Sequence, residues 1–384
     1  MSKEKKQTKK GILMPPAVGY SFQILLGFVF KYRIDFRFIF RFIITVVVNI
    51  INWPFRTYER LIINPKYKRQ TGIESPIFIL GHWRSGTTHL HNLLCKDPQM
   101  GYTTTYQSVF PDTLFNKLGY FLFEGFARLL IPGKRAGDNV TLGTELPQEE
   151  EFALGDKTPI SFYYFWMFPR KIRLFYKRFI RFEGIDNAKK ERWKANYKLL
   201  IAKSLKNTNT ELYLSKNPPN TGRVKLLLEM FPNARFIHIH RNPIEVFLST
   251  QNFFKKMLPH LQLQNISQKE INKEVIHLYE QIMTDYFQQK SLIPEGNLVE
   301  VRYEDLEKNP MSLLKRVYSE LDISGFESAE HGIQDYVNSM KSYKKNNHIL
   351  SKKQLDILIE AFDFTMKKLN YSVPLNIDIL EDEV

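Results

Sequence analysis

One stretch constrains the fold of this chain more than any other: Pro76-Ile77-Phe78-Ile79-Leu80 runs straight into Gly81-His82-Trp83-Arg84-Ser85-Gly86-Thr87-Thr88. The first five residues are apolar and β-rich, as a buried parallel strand requires. From Thr87 to Cys95, Leu90, Leu93 and Leu94 recur at helical spacing, and Asp97-Pro98 ends the run. Between strand and helix, two glycines let the backbone approach an anion closely. The N–H groups at the helix start point toward such an anion, and the helix dipole favours its charge. Arg84 and the hydroxyls of Ser85, Thr87 and Thr88 add donors. Where a nucleotide triphosphatase carries Lys followed by Ser or Thr, this chain has Thr87-Thr88, so the lysine that reaches the β- and γ-phosphates is absent. The loop therefore suits a single 5′-phosphate better than a triphosphate with magnesium. Taken alone, it is also compatible with an ordinary strand-to-helix turn.

The same order, strand and then helix, recurs. Leu212-Tyr213-Leu214 leads into Ser215-Lys216-Asn217-Pro218-Pro219 and a helix that begins near Thr221-Gly222-Arg223 and ends before Pro232. Arg235 to His240 leads into Arg241-Asn242-Pro243 and a helix through Val246, Phe247 and Thr250. Leu298 to Tyr303 is a fourth strand, Pro310 to Leu321 a helix, and residues 188–206 and 268–290 also read as helical. Repeated units of this kind predict an α/β fold with a central parallel sheet flanked by helices. At 384 residues, 43% of them hydrophobic, the chain can bury a large core, and no internal repeat or boundary divides residues 71–384. Thr103 to Phe168 has no clean period and reads as loops and short helices, an excursion of the kind that carries function.

The formal charge of +15 is concentrated at the front, where residues 1–70 hold 14 Lys/Arg against three acids. Lys3, Lys5, Lys6, Lys9 and Lys10 make a solvated tail. Gly11 to Phe30 is uncharged and long enough to span a bilayer, but Pro15, Pro16, Gly19, Ser21 and Gln23 interrupt it, and no small-residue cleavage site follows. Phe36 to Ile51 sets Arg37 and Arg41 among Phe38, Ile39, Phe40 and Phe42. Buried arginines are expensive in hydrocarbon, so this segment suits a helix packed on the body or lying in a membrane interface, with a span as the third disposition. The expected division is a basic, apolar N-terminal arm over 1–70 and one domain over 71–384, with residues 1–60 serving location and not chemistry. A single cysteine, Cys95, excludes a disulfide framework and points to the cytoplasm, including its membrane surface. The body is near-balanced, and the arm's basic excess would attract an anionic surface, nucleic acid or membrane; peripheral membrane contact through the arm is the expectation, with no nucleic acid partner.

A second anion site is suggested by Arg241 at a strand end and Ser249 eight residues on, about two turns into the next helix. Arg241 offers a bidentate fork. The Arg-Ser-Gly-Thr-Thr loop after a strand, followed by Phe-Pro-Asn-Ala-Arg-Phe-Ile-His-Ile-His-Arg-Asn-Pro with Ser eight beyond the Arg, resembles the sulfotransferases that use 3′-phosphoadenosine-5′-phosphosulfate (PAPS). Within that family it is most similar to the bacterial branch whose loop is like that of tyrosylprotein sulfotransferases. The resemblance runs from about Pro76 to Leu321, with a weaker third window at Val301-Arg302-Tyr303-Glu304-Asp305-Leu306. It implies a P-loop-like sulfotransferase fold and transfer of sulfonate from PAPS, as co-substrate, to an acceptor hydroxyl. It assigns Arg84, Ser85, Gly86, Thr87 and Thr88 to the 5′-phosphosulfate, and Arg241 and Ser249 to the 3′-phosphate. Lys344, Lys345 and His348 fall where relatives often carry a basic loop over the nucleotide, although a solvated charge run describes them better.

Sulfonate transfer needs a base for the acceptor hydroxyl and positive charge on the bridging oxygen. It needs no metal, and His82, His89 and His91 have no carboxylate or thiol partner at ligand spacing. Cytosolic relatives use a His as base, and the tyrosylprotein and heparan branches a Glu. Where the tyrosylprotein enzymes place that Glu, this chain has Thr103-Thr104-Thr105-Tyr106, and the nearest acidic cluster is Glu145-Leu146-Pro147-Gln148-Glu149-Glu150-Glu151. Repulsion between adjacent carboxylates, where the site also buries them, can hold one near neutral pH, which makes Glu149 or Glu150 the expected base; a solvated acidic helix start is the alternative. Lys216 resembles the Lys-x-Pro element that brings an ammonium into related active sites. His82 is the next candidate base. The run Phe162 to Phe168 suits either an apolar acceptor pocket or core, with sterol-like or lipid alcohols expected first and phenols close behind. A nucleotide or small-molecule kinase is the alternative enzyme, and a basic nucleic-acid or membrane-binding module the non-enzymatic one.

Overall fold

The computed structural model describes residues 17–68, 73, 75–130, 133, 141–339, 348–375 and 377–380. In chain order, its longer helices and its strands are α1 (Phe22–Tyr32), α2 (Ile39–Tyr58), β1 (Ile77–Leu80), α3 (Thr87–Leu94), β2 (Met100–Gly101), α4 (Lys117–Leu130), α5 (Glu150–Lys157) and α6 (Asn187–Thr208). These are followed by β3 (Leu212–Lys216), α7 (Val224–Met230), β4 (Arg235–His240), α8 (Pro243–Leu261), α9 (Gln268–Gln289), β5 (Leu298–Arg302), α10 (Pro310–Glu320), α11 (Phe326–Ser339), β6 (His348–Ser351), α12 (Lys352–Leu369) and β7 (Ile377–Leu380).

Five strands form one parallel sheet in the order β2-β3-β1-β4-β5, and β6 and β7 make a separate parallel pair. Successive side chains of β1 go to opposite faces: Phe78 and Leu80 join the larger core, and Ile77 and Ile79 the core beneath α3, α10 and α11. With both faces covered, the strands can be apolar throughout. The expected α/β sheet is present, with one strand that sequence reading missed, since the two residues of β2 carry no period. Tyr303 starts a short helix, Tyr303–Lys308, instead of ending β5, with Glu304 and Asp305 in its first turn, where acidic side chains favour a helix start.

β1 lies at the centre, between β3 and β4, so the loops leaving its C-terminal end and theirs converge on one crevice, where ligands bind in open α/β sheets. The excursion Thr103–Phe168 lies beside that crevice as short helices plus the fourteen-residue α4. Phe162 to Phe168 is buried throughout and serves as core.

The N-terminal helices are bound to this body by polar groups. One continuous helical run covers Phe36–Lys68, and its inward residues are Thr45, Asn49, Asn52, Arg56 and Glu59. The carboxylate of Glu59 accepts from Lys203 Nζ at 2.6 Å and from the amides of Leu114, Phe115 and Asn116. Asp112 accepts from Lys157 Nζ at 2.5 Å and from Arg60, while Arg56 donates to the carbonyls of Gly19 and Asp156. Buried charges of this sort are costly unless every one is matched. Residues 17–68 therefore pack on the body through paired charges, and removing residues 1–60 would take Glu59 from Lys203 and Arg60 from Asp112.

Candidate active site

The loop after β1 takes its shape from backbone geometry that few residues tolerate. Arg84 (φ 71°) and Gly86 (φ 100°) both have positive φ, and a Cβ at Gly86 would meet the ring of Tyr303 at 2.3 Å. No side chain caps the start of α3 at Gly86. The first amides of a helix have no partner within it, so this end is open to an anion. The Ser85 hydroxyl donates to the carbonyls of His82 (2.8 Å) and Ile239 (3.1 Å), which shapes the loop from within. Thr221 ties the loop to the segment after β3, donating to the Gly81 carbonyl (3.2 Å) and accepting from its amide (2.7 Å).

The two sequence windows meet here. Arg84 Nε donates to Ser249 Oγ at 3.0 Å across 165 residues of chain, and the Arg84 guanidinium lies 5.3 Å from the Phe253 ring. Arg241 donates through Nε to Glu245 at 2.9 Å and stands 4.8 Å from the Tyr303 ring. The Arg241 and Ser249 side chains thus each have a protein partner beside the loop, Glu245 for Arg241 and Arg84 for Ser249. Glu245 and Phe253 carry no signal in the sequence, because each acts by orienting a neighbour, while Tyr303 and Thr221 stand there only as part of the third window and of a helix start.

Glu149 and Lys216 also come together. Lys216 ends β3 level with Ile79 of β1, and its ammonium bonds Glu149 Oε1 in a buried ion pair. The other oxygen of Glu149 accepts from the Tyr163 hydroxyl, which in turn accepts from Trp83 Nε1 at 2.9 Å. A hydrogen-bonded chain therefore runs from the phosphate loop to the carboxylate. Burial, and then the neighbouring Glu149, hold the Tyr163 phenol well above its ordinary pKa, so it remains a donor. Trp83 lies within the loop motif and Tyr163 within the aromatic run, but nothing in their spacing marks them as partners.

The three consecutive carboxylates diverge. Glu150 accepts from Tyr197 (2.6 Å) and from Ser215, and burial raises its pKa. Burial would also raise Glu151, but Arg223, donating through both terminal nitrogens at 2.6 and 3.0 Å, holds it below the usual carboxylate value. The cluster is thus buried instead of a solvated helix start, and desolvation, not mutual repulsion, raises Glu150. Glu145 stands apart, accepting from Tyr120 at 3.0 Å.

His82 contacts the Trp83 carbonyl through Nδ1 at 2.8 Å, and burial brings its pKa down to about 4. Among the described residues no group of three or more His, Cys, Asp or Glu could hold a metal. Lys344, Lys345 and the side chain of His348 lie outside the described residues.

Residues 76–328 match the profile of the sulfotransferase family. The chain belongs to this family. Two curated relatives, from Mycobacterium bovis and Mycobacterium tuberculosis, are each named omega-hydroxy-beta-dihydromenaquinone-9 sulfotransferase Stf3; both are 28% identical over 327 residues, covering 84% of this chain and 82% of theirs. Among solved structures, sulfotransferase STF1 of Mycobacterium tuberculosis has a TM-score of 0.64 at 15% identity, over 88% of this chain and 89% of its own. STF9 of Mycobacterium avium has a TM-score of 0.62 at 17% identity, over 80% of each chain. These two share the P-loop-like sulfotransferase fold. This sulfotransferase is thus an enzyme that transfers a sulfonate group to a hydroxyl, and the kinase and non-enzymatic alternatives fall away.

Proposed function

We propose that the enzyme takes sulfonate from PAPS and transfers it to the hydroxyl of a lipid alcohol at a cytoplasmic membrane surface, which the N-terminal arm contacts. Arg84, Gly86, Thr87 and Thr88 hold the 5′-phosphosulfate on the open end of α3, with Ser85 keeping the loop in shape. Arg241 and Ser249 take the 3′-phosphate. Glu149 accepts the acceptor proton as the new S–O bond forms. Lys216 offsets the charge that develops on the bridging oxygen as the old S–O bond breaks and the electron pair leaves with adenosine 3′,5′-bisphosphate.

The observation that carries this reading is the linkage of Glu149 and Lys216 to the loop through Tyr163 and Trp83. It favours Glu149 over Glu150, whose Oε1 accepts from Tyr197, Ser215 and Asn220, outside this linkage to the loop. A hydroxylated lipid is favoured over sugars because the relatives above are named for a hydroxylated dihydromenaquinone. An acceptor screen with labelled PAPS, in mixed micelles and without added metal, tests it. Label is expected in long-chain isoprenoid, quinone or sterol alcohols; transfer to sugars alone would overturn the acceptor class.

A further inference from the structure

The long N-terminal helix is inside out. Its polar residues Asn49, Asn52, Arg56 and Glu59 face the protein, while Phe40, Val47, Ile51 and Leu61 face outward, Phe40 at 72% exposure and Leu61 at 68%. A helix of a soluble domain does the reverse. The outward face does not stop at the arm. Helix α4, from the excursion, packs against it through Phe55 and Phe123, whose rings are 5.7 Å apart, and presents Phe121 (75% exposed) and Leu129 (76% exposed). An exposed apolar surface of this extent, built from two elements distant in sequence, marks an interaction site.

We propose that α2 and α4 together form an in-plane docking face that enters one leaflet of an anionic bilayer. This rests on the peripheral membrane contact proposed above and adds a second element to it, which fixes how the catalytic body is oriented on the surface. The run Phe36–Lys68 is long and apolar enough to cross a membrane. It does not cross, because Arg56, Arg60 and Glu59 fasten its other side to the body. The occupant is a lipid surface and not a second copy because of charge. Exposed Lys31, Arg33 and Arg37 lie toward one end of the run and exposed Lys66 and Lys68 at the other, after a tail with five lysines in ten residues. Two such faces repel each other, whereas anionic headgroups attract both. Trp53 is on the same run and half exposed, as suits an interfacial aromatic.

The test uses the full chain with vesicles of phosphatidylglycerol and phosphatidylcholine. Trp83, Trp166 and Trp193 are buried, so Trp53 reports on this face. Wild type is expected to float with the vesicles, and its fluorescence to be quenched by brominated acyl chains, with the quenching lost in Trp53→Phe. Phe121→Glu with Leu129→Glu is expected to lower vesicle affinity at least tenfold while leaving the affinity for adenosine 3′,5′-bisphosphate unchanged. Flotation of that double variant equal to wild type would overturn the two-helix face and leave contact through the arm standing. A wild-type chain that never floats would overturn both. A lipid-free dimer that this double variant converts to monomer would assign the face to a second copy and overturn the proposal.

Discussion

The phosphate loop and the helix Phe36–Lys68 stand in opposite relations to water. In the loop, polar groups gather at an opening toward solvent, with Arg84 on Ser249, Arg241 on Glu245 and the start of α3 uncapped. In the helix, polar groups are enclosed and apolar ones exposed, with Glu59 and Lys203 wholly buried and Phe40 outside. The difference teaches that polar residues in this chain have two jobs. At the loop they surround the proposed site of a charged ligand, and under α2 they neutralise one another while the apolar side faces outward.

The contrast breaks first at the arm. Lys203→Ala would leave the Glu59 carboxylate buried without its ammonium, and thermal or urea unfolding should show a loss of about 3–5 kcal/mol. A loss near zero would mean that the arm is held only loosely and is separable after all.

The next largest effect sharpens the chemical side. Glu149→Gln should lower turnover about a hundred-fold with nucleotide affinity nearly unchanged, since an amide cannot take a proton at neutral pH. With His82 held near pKa 4 by burial, the wild-type pH profile should show no histidine limb around 6.5. Wild-type turnover in Glu149→Gln, together with such a limb, would move the base elsewhere.

The smallest effect separates the two anion sites. Arg241→Ala should weaken adenosine 3′,5′-bisphosphate about tenfold while barely changing adenosine 5′-phosphosulfate, which lacks the 3′-phosphate. Equal losses for both, read by calorimetry, would remove Arg241 from the 3′ role.

How much of this was legible in the sequence follows the same divide. The sheet and loop could be read because a buried strand and a tight anion turn each demand particular residues, such as Ile77 to Leu80, Gly81 and Gly86. Lys216 stands out by its resemblance to a Lys-x-Pro element, and it lies at the end of β3. Trp83 and Tyr163 do not, since a hydrogen bond between residues 80 apart leaves no periodic trace. The apolar character of Phe36–Ile51 was plain as well. Its direction was not, because Asn49, Arg56 and Glu59 look like an ordinary solvent face until Ala17, Gly19, Asp156 and Lys203 are seen beneath them.

The proposed nucleotide site requires the two sequence windows to act together through backbone amides, arginines and hydroxyls. Calorimetry of the full chain with adenosine 3′,5′-bisphosphate in the presence of a chelator tests this most directly. The expected result is saturable heat, undiminished by the chelator and reduced in Arg241→Ala. No heat at millimolar ligand, or binding that appears only when magnesium is restored, would contradict it.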